Sequence, residues 1–193
     1  MNRVFKITQG FKEQDGTIVY PFLNSKDSQS DLPWDLTNEF SIAAGNLEPD
    51  TASKIQVHPV VTLVIWVIYG RLQVRMKDTH ASSSYLLDVW PEQAVLARPG
   101  TFLQLINPTA SPCRVLYIVG PPYTFDADPD GSVHYEDAVP LDYNWEQLEA
   151  QAWNPPELAQ RLDAAWMRAA REQALSRVRM QKQKHTLSEN KSG

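Results

Sequence analysis

The sequence predicts a mainly β domain, an antiparallel sandwich or barrel, with an α-helical extension at its C-terminus. Three observations carry this expectation. Short runs of β-forming residues follow one another from Phe40 to about Phe125, turn residues separate them, and an Ala-, Leu-, Arg- and Gln-rich segment closes the chain. With 193 residues, 42% hydrophobic and 21% charged, the chain has the length and composition of one folded domain.

Eight runs are the candidate strands: FSIAAGNL, KIQVHPVV, TLVIWVIYG, RLQVRMKD, SYLLDVW, QAVLA, TFLQLIN and CRVLYIVG. In the fourth, Leu72, Val74 and Met76 alternate with Arg71, Gln73 and Arg75, so one face turns inward and the other meets solvent. Gly70, the loop from Lys77 to Ser84, Arg98-Pro99-Gly100 and Asn107-Pro108 supply the chain reversals. Residues 1–39 read as an N-terminal wrap, in which GTIVYPFL reads as an extra strand, residues 40–125 as the β-domain, and 126–193 as an acidic turn, a short helix, a long helix and a disordered tail.

The helical part has its own start signals. Asn144 with Gln147 three positions later forms a capping box for a short helix, and Asn154 followed by Pro155, Pro156 and Glu157 opens a second one. In that second helix Leu158, Leu162, Trp166, Ala170, Ala174 and Val178 recur every fourth residue as a narrow apolar stripe, fit to pack on the β-domain or on a partner.

Charge and apolar length limit the function classes. Residues 1–156 carry 10 Lys/Arg against 19 Asp/Glu, and residues 157–193 carry 8 against 4. An acidic body repels phosphate, so nucleic acid is not expected as a partner. The longest apolar run, Val60 to Tyr69, is about half of a bilayer span, which argues against a membrane role. The N-terminus lacks the apolar core of a secretory signal, and Cys113 is the only cysteine, so a cytoplasmic location is the expectation. Residues 126–137 match the calcium-loop pattern at Asp126, Asp128, Asp130, Gly131, Val133 and Asp137. The segment before them reads as a strand and turn rather than a helix, so an acidic solvated turn is expected instead.

Two motifs in the β-region are more specific. With Gly70 as the closing glycine of a G-x5-H-x-H-x4-E-x6-G pattern, the other positions fall on Asp50, Gln56, His58 and Leu63. With Gly100 in P-x-G-x2-H-x3-N, they fall on Arg98, Leu103 and Asn107. In this spacing the chain resembles the cupin superfamily over roughly residues 40–122, and the resemblance implies a small jelly-roll β-barrel that commonly dimerises. Metal-binding cupins place three histidines and a carboxylate where this chain has Gln56, His58, Leu63 and Leu103. Leucine cannot ligate and an amide is a weak donor, so no metal and no other cofactor is expected; a divalent transition metal on an altered ligand set is the alternative.

His58 then carries the chemistry. Burial among Leu63, Ile65, Val67, Leu72, Leu103 and Leu105 would hold its imidazole neutral, the state a general base needs, with Gln56 on the same strand face to orient it or to bind substrate. A structural histidine bonded to Gln56 or to a carbonyl is the competing reading. Tyr69, Tyr117 and Ser41 lie on presumed strands and are candidate substrate contacts. The expectation is a homodimeric, metal-independent enzyme that isomerises, cyclises or dehydrates a small organic substrate in biosynthesis. A metal-dependent dioxygenase or lyase and a non-catalytic ligand-binding protein are the alternatives.

Overall fold

The computed structural model describes residues 10–13, 15–23, 39–128, 132–150 and 153–189. Two antiparallel sheets face each other. The first contains β1 (Phe11–Lys12), β2 (Ile18–Leu23), β3 (Ser41–Leu47), β6 (Thr62–Tyr69), β9 (Ala94–Ala97) and β11 (Cys113–Gly120), in the order β1-β2-β3-β11-β6-β9. The second contains β5 (Ile55–Val57), β7 (Leu72–Lys77), β8 (Tyr85–Val89), β10 (Phe102–Asn107) and β14 (Val139–Leu141), in the order β14-β5-β10-β7-β8. The short β4 (Thr51–Ala52) is paired to β10. From β3 to β11 the chain passes repeatedly between the sheets, as a jelly roll does. Strand pairing among the described residues does not join the two sheets into a closed ring, so the expected barrel is an open-edged one.

Each of the eight predicted runs contains a strand, and GTIVYPFL contains β2. The alternation read in RLQVRMK holds: Leu72, Val74 and Met76 are buried in the core between the sheets. Leu63, Ile65 and Val67 of β6, Val115, Tyr117 and Val119 of β11, and Leu103 and Leu105 of β10 complete that core from both sides. Fully burying one such aliphatic side chain stabilises the fold by roughly 1.5–3 kcal/mol.

The motif residues retained in this chain hold turns. Gly70 and Gly100 sit at φ +85° and +84°, in the left-handed region that glycine tolerates best. Asp50, where the motif has a glycine, also takes a positive φ of 51°. Asn107 is fully buried, and its Nδ2 donates to the carbonyls of Leu47, Glu48 and Ser111 while its Oδ1 accepts from Thr109 N and Oγ1.

A second core lies on the outside of the second sheet. Ile55, Val57 and Phe102 pack there with Val139 and Leu141 of β14, with Trp145 and Leu148 of α1 (Trp145–Glu149), and with Met167 and Ala174 of α3 (Ala164–Glu189). The Asn144–Gln147 capping box is present. The second helix differs from expectation. After Asn154 come a 3-10 turn, Pro156–Leu158, and one turn of helix, α2 (Ala159–Leu162); Asp163 then breaks the helix and caps α3, its Oδ1 accepting from Trp166 N at 2.6 Å. This restart shifts the buried stripe of α3 to Met167, Arg171 and Ala174, and leaves Trp166 exposed. α3 extends to Glu189, through part of the segment expected to be disordered.

The acidic stretch also folds further than expected. β12 (Phe125–Ala127) and β13 (Val133–Glu136) form a hairpin, without the flanking helices of a calcium loop. Asp126 and Asp137 are buried rather than solvated: Arg177 Nε lies 2.6 Å from Asp126 Oδ2, and Arg171 Nε lies 3.3 Å from Asp137 Oδ1. Among the described residues, no helix is long and apolar enough to cross a membrane.

The turn at Gly70 supplies a test of the fold. A Cβ there would lie 2.8 Å from Cys113 Cα and from the Pro112 carbonyl oxygen, on top of the left-handed backbone. Gly70→Ala is expected to lower the urea-unfolding free energy by more than about 1 kcal/mol. An unchanged midpoint would contradict this account of the β6–β7 turn.

Candidate functional site

His58 follows directly on β5, and Gly100 N–H holds its carbonyl at 2.8 Å, tying it to the turn before β10. Strand alternation puts His58 and Gln56 on one face, and Gln56 is the cross-strand partner of Leu103, a member of the inter-sheet core; both therefore face the interior. His58 is 5% exposed, and neither ring nitrogen has a hydrogen-bond partner among the described residues. Burial lowers its pKa from the ordinary 6.5 to about 4, so the imidazole is neutral at pH 7. Among the described residues, neither Gln56 nor a carbonyl bonds to the ring.

The neighbour that meets His58 is Tyr123, edge-on with ring centroids 6.3 Å apart. Sequence reasoning did not single out Tyr123, because it lies beyond β11 in a proline-bearing turn with no periodicity. Ser41, buried at the start of β3, accepts the Tyr123 backbone N–H at 2.8 Å, so its hydroxyl positions the tyrosine segment. Tyr123 Oη donates to Glu136 Oε1 at 2.7 Å, while Glu136 Oε2 is buried with no partner among the described residues. Burial is the main reason that Glu136 is raised above the usual carboxylate range; the hydrogen bond from Tyr123 opposes the shift.

Tyr117 faces the interior from β11, its ring packed over Gly45, where a Cβ would come within 2.4 Å of the ring. Its hydroxyl is buried beside Thr17 without a well-formed hydrogen bond to any described residue, and burial pushes its pKa upward. A turn from the N-terminal wrap reaches the same region. Asp15 accepts from Thr17 N at 2.9 Å and Thr17 Oγ1 at 2.7 Å, and its carbonyl accepts from Lys54 N at 2.8 Å, which pins the turn to the chain entering β5. Glu13 in this turn is raised to about 7, by burial and then by the negative charges of Glu136 and Asp15. Tyr117 and Tyr123 both feel the Glu13 charge. Glu13 and Glu136 were not identified in the sequence, because each belongs to a short irregular element that no motif marks.

Tyr69 does not join this group. A β-bulge between β6 and β11 pairs Arg114 with Tyr69 and Val115 with Val67, turning Tyr69 to the outer face with 47% exposure. The expected contact between Tyr69 and an interior substrate therefore lacks a structural basis. His58, Gln56, Ser41 and Tyr117 of the sequence candidates are buried, and Tyr123 links His58 and Ser41 to Glu136.

The four cupin ligand positions do not fit a metal. Leu63 and Leu103 are members of the aliphatic core, which leaves one imidazole and one amide. Among the described residues, no group of three or more His, Cys, Asp or Glu is arranged to hold a metal ion.

No family model and no curated protein matches the sequence. Solved structures similar to the chain include the Drosophila melanogaster CENP-C cupin domain, with 11% identity, 58% of this chain and 73% of that chain covered, and a TM-score of 0.45. KdgF from Halomonas sp. is similar at 10% identity, with 59% and 88% covered and a TM-score of 0.45. An oxalate decarboxylase variant of Bacillus subtilis is similar at 12% identity, with 63% and 31% covered and a TM-score of 0.49.

The desolvated imidazole makes a measurable claim. Between pH 6.5 and 4 the unfolded chain binds a proton at His58 that the folded chain refuses, so this contribution to stability is complete above about pH 6.5 and is lost as the pH falls toward 4. Relative to His58→Gln, the wild type should lose up to about 3 kcal/mol more between pH 7 and pH 4 in chemical unfolding, and the His58 imidazole should titrate near 4 by NMR. Parallel pH profiles and a midpoint near 6.5 would contradict it. The strand order, the passage of the chain between two facing sheets and the motif turns at Gly70 and Gly100 give this protein the cupin superfamily's jelly-roll fold.

Proposed function

We propose that this protein is a metal-independent enzyme that transfers protons on a small organic substrate held between the two sheets, in an isomerisation, cyclisation or dehydration, with a biosynthetic step as its setting. The observation that carries the reading is His58, buried with both ring nitrogens unpartnered among the described residues. An unpaired buried polar group costs about 1–3 kcal/mol, and a bound substrate that donates to or accepts from the ring removes that cost. The neutral ring has a free lone pair for a substrate proton. Glu13, raised to about 7 by burial and by the charges of Glu136 and Asp15, is the second acid/base group of this reading. Tyr117 and Gln56 bind the substrate, and Ser41 acts through Tyr123.

A non-catalytic ligand-binding protein is the second reading, favoured by Leu63 and Leu103, which put aliphatic side chains at two of the four motif positions. Deuterium incorporation separates the two. A panel of small metabolites in deuterated water is expected to include one that exchanges a C–H proton only when the protein is present, with a rate about 100-fold lower in His58→Gln and unaffected by EDTA. Exchange abolished by EDTA and restored by a transition metal would support the metal-dependent alternative. Binding without exchange would support the second reading.

The expected homodimer is assigned to the outer face of the first sheet. The outer face of the second sheet lies under the C-terminal elements, whereas Trp66, Ile68 and Leu96 stand exposed on β6 and β9. Sedimentation should give a dimer that Leu96→Glu converts to monomer; a wild-type monomer at micromolar concentration would count against the assignment.

A further inference from the structure

The charged side chains that act on Tyr123 are carboxylates, Glu136, Glu13 and Asp137. Glu136 presents a buried, unpartnered Oε2, Glu13 and Asp15 add negative charge from the N-terminal turn, and Tyr117 Oη and the two His58 nitrogens are unpartnered as well, all counted among the described residues. Two of the three cations that approach this region are engaged by aspartates. Arg171 faces Asp137 and donates to the Pro122 carbonyl, Arg177 pairs with Asp126, and Arg161 of α2 acts on Glu136 without an ion pair to a described residue. Lys77 and Arg171, the buried cations among the described residues, lie over the Phe102 ring and beside Asp137. Buried carboxylates require a proton or a cation, and a carboxylate or phosphate substrate would meet repulsion from Glu136, Glu13 and Asp15, with Arg161 as the opposing cation.

We propose that this end of the interior binds a small organic ammonium ion, its charged head against Glu136 and Glu13 and its hydrocarbon part against the aliphatic core. The Glu136 Oε2 lone pairs accept from the ammonium, and Tyr123, fixed by its bond to Oε1, supplies an aromatic wall of the kind that attracts cations. Tyr117 Oη and the His58 nitrogens are left for the polar substituents of the same molecule. The inference rests on the reading of the inter-sheet space as the substrate site and adds the charge of the substrate.

NMR titration of the full chain with n-butylammonium, sodium butyrate and n-butanol at equal ionic strength tests it. The expected result is saturable shifts of the His58 and Tyr123 signals with butylammonium, at least about tenfold weaker binding in Glu136→Gln or, should that variant not fold, in Glu13→Gln, and no saturation with butyrate. Butyrate or butanol binding at His58 as tightly as butylammonium would overturn the ammonium assignment and leave the substrate site standing. No saturable shift with any probe would overturn both. Calcium or magnesium producing the same shifts at micromolar concentration would also overturn the assignment, by making the carboxylates a metal site.

Discussion

The desolvation of one imidazole is the constraint on which this account depends. His58 lies at the edge of a core made of Leu, Val, Ile and Met side chains from two facing sheets, and a charged ring there would forfeit its hydration with no compensating partner. The fold fixes it in place through the Gly100 N–H and through the pairing of β5 with β10 on one side and β14 on the other. The ring is consequently neutral, and its nitrogens have no hydrogen-bond partner among the described residues.

The surroundings of His58 are assembled from distant parts of the chain. The N-terminal turn brings Glu13, Asp15 and Thr17 against β5 and β11; the segment after β11 brings Tyr123; β13 brings Glu136. The C-terminal helix holds the latter two pieces together, since Arg171 donates to the Pro122 carbonyl and faces Asp137, and Asp137 in turn accepts from Thr124 N at 2.5 Å and from Tyr135 Oη at 2.6 Å. A helix that reads in the sequence as a covering element thus also orders one wall of the site.

What was legible in the sequence follows the physics of each segment. The strands were readable because their two faces meet different environments, so Leu72, Val74 and Met76 announce themselves by alternation. The motif positions were readable for the fold because Gly70, Gly100 and Asn107 serve backbone conformation, which does not depend on metal. Tyr69 misled because a bulge reverses the parity that alternation assumes. Trp166 misled because Asp163 restarts the helix and rotates its register. Glu13, Tyr123 and Glu136 left no signal, since they come together only through tertiary packing of short, aperiodic pieces, and β12, β13 and β14 are too short to show a pattern against the acidic background.

The central claim is that the interior offers a neutral, unmetallated imidazole to an organic ligand. A crystal structure of protein purified without chelators, with anomalous diffraction collected across the iron, nickel, copper and zinc edges, tests it most directly. The account predicts no anomalous peak beside His58 and a ring nitrogen hydrogen-bonded to water or to a ligand between the sheets. A transition ion within about 2.2 Å of a His58 nitrogen would contradict it.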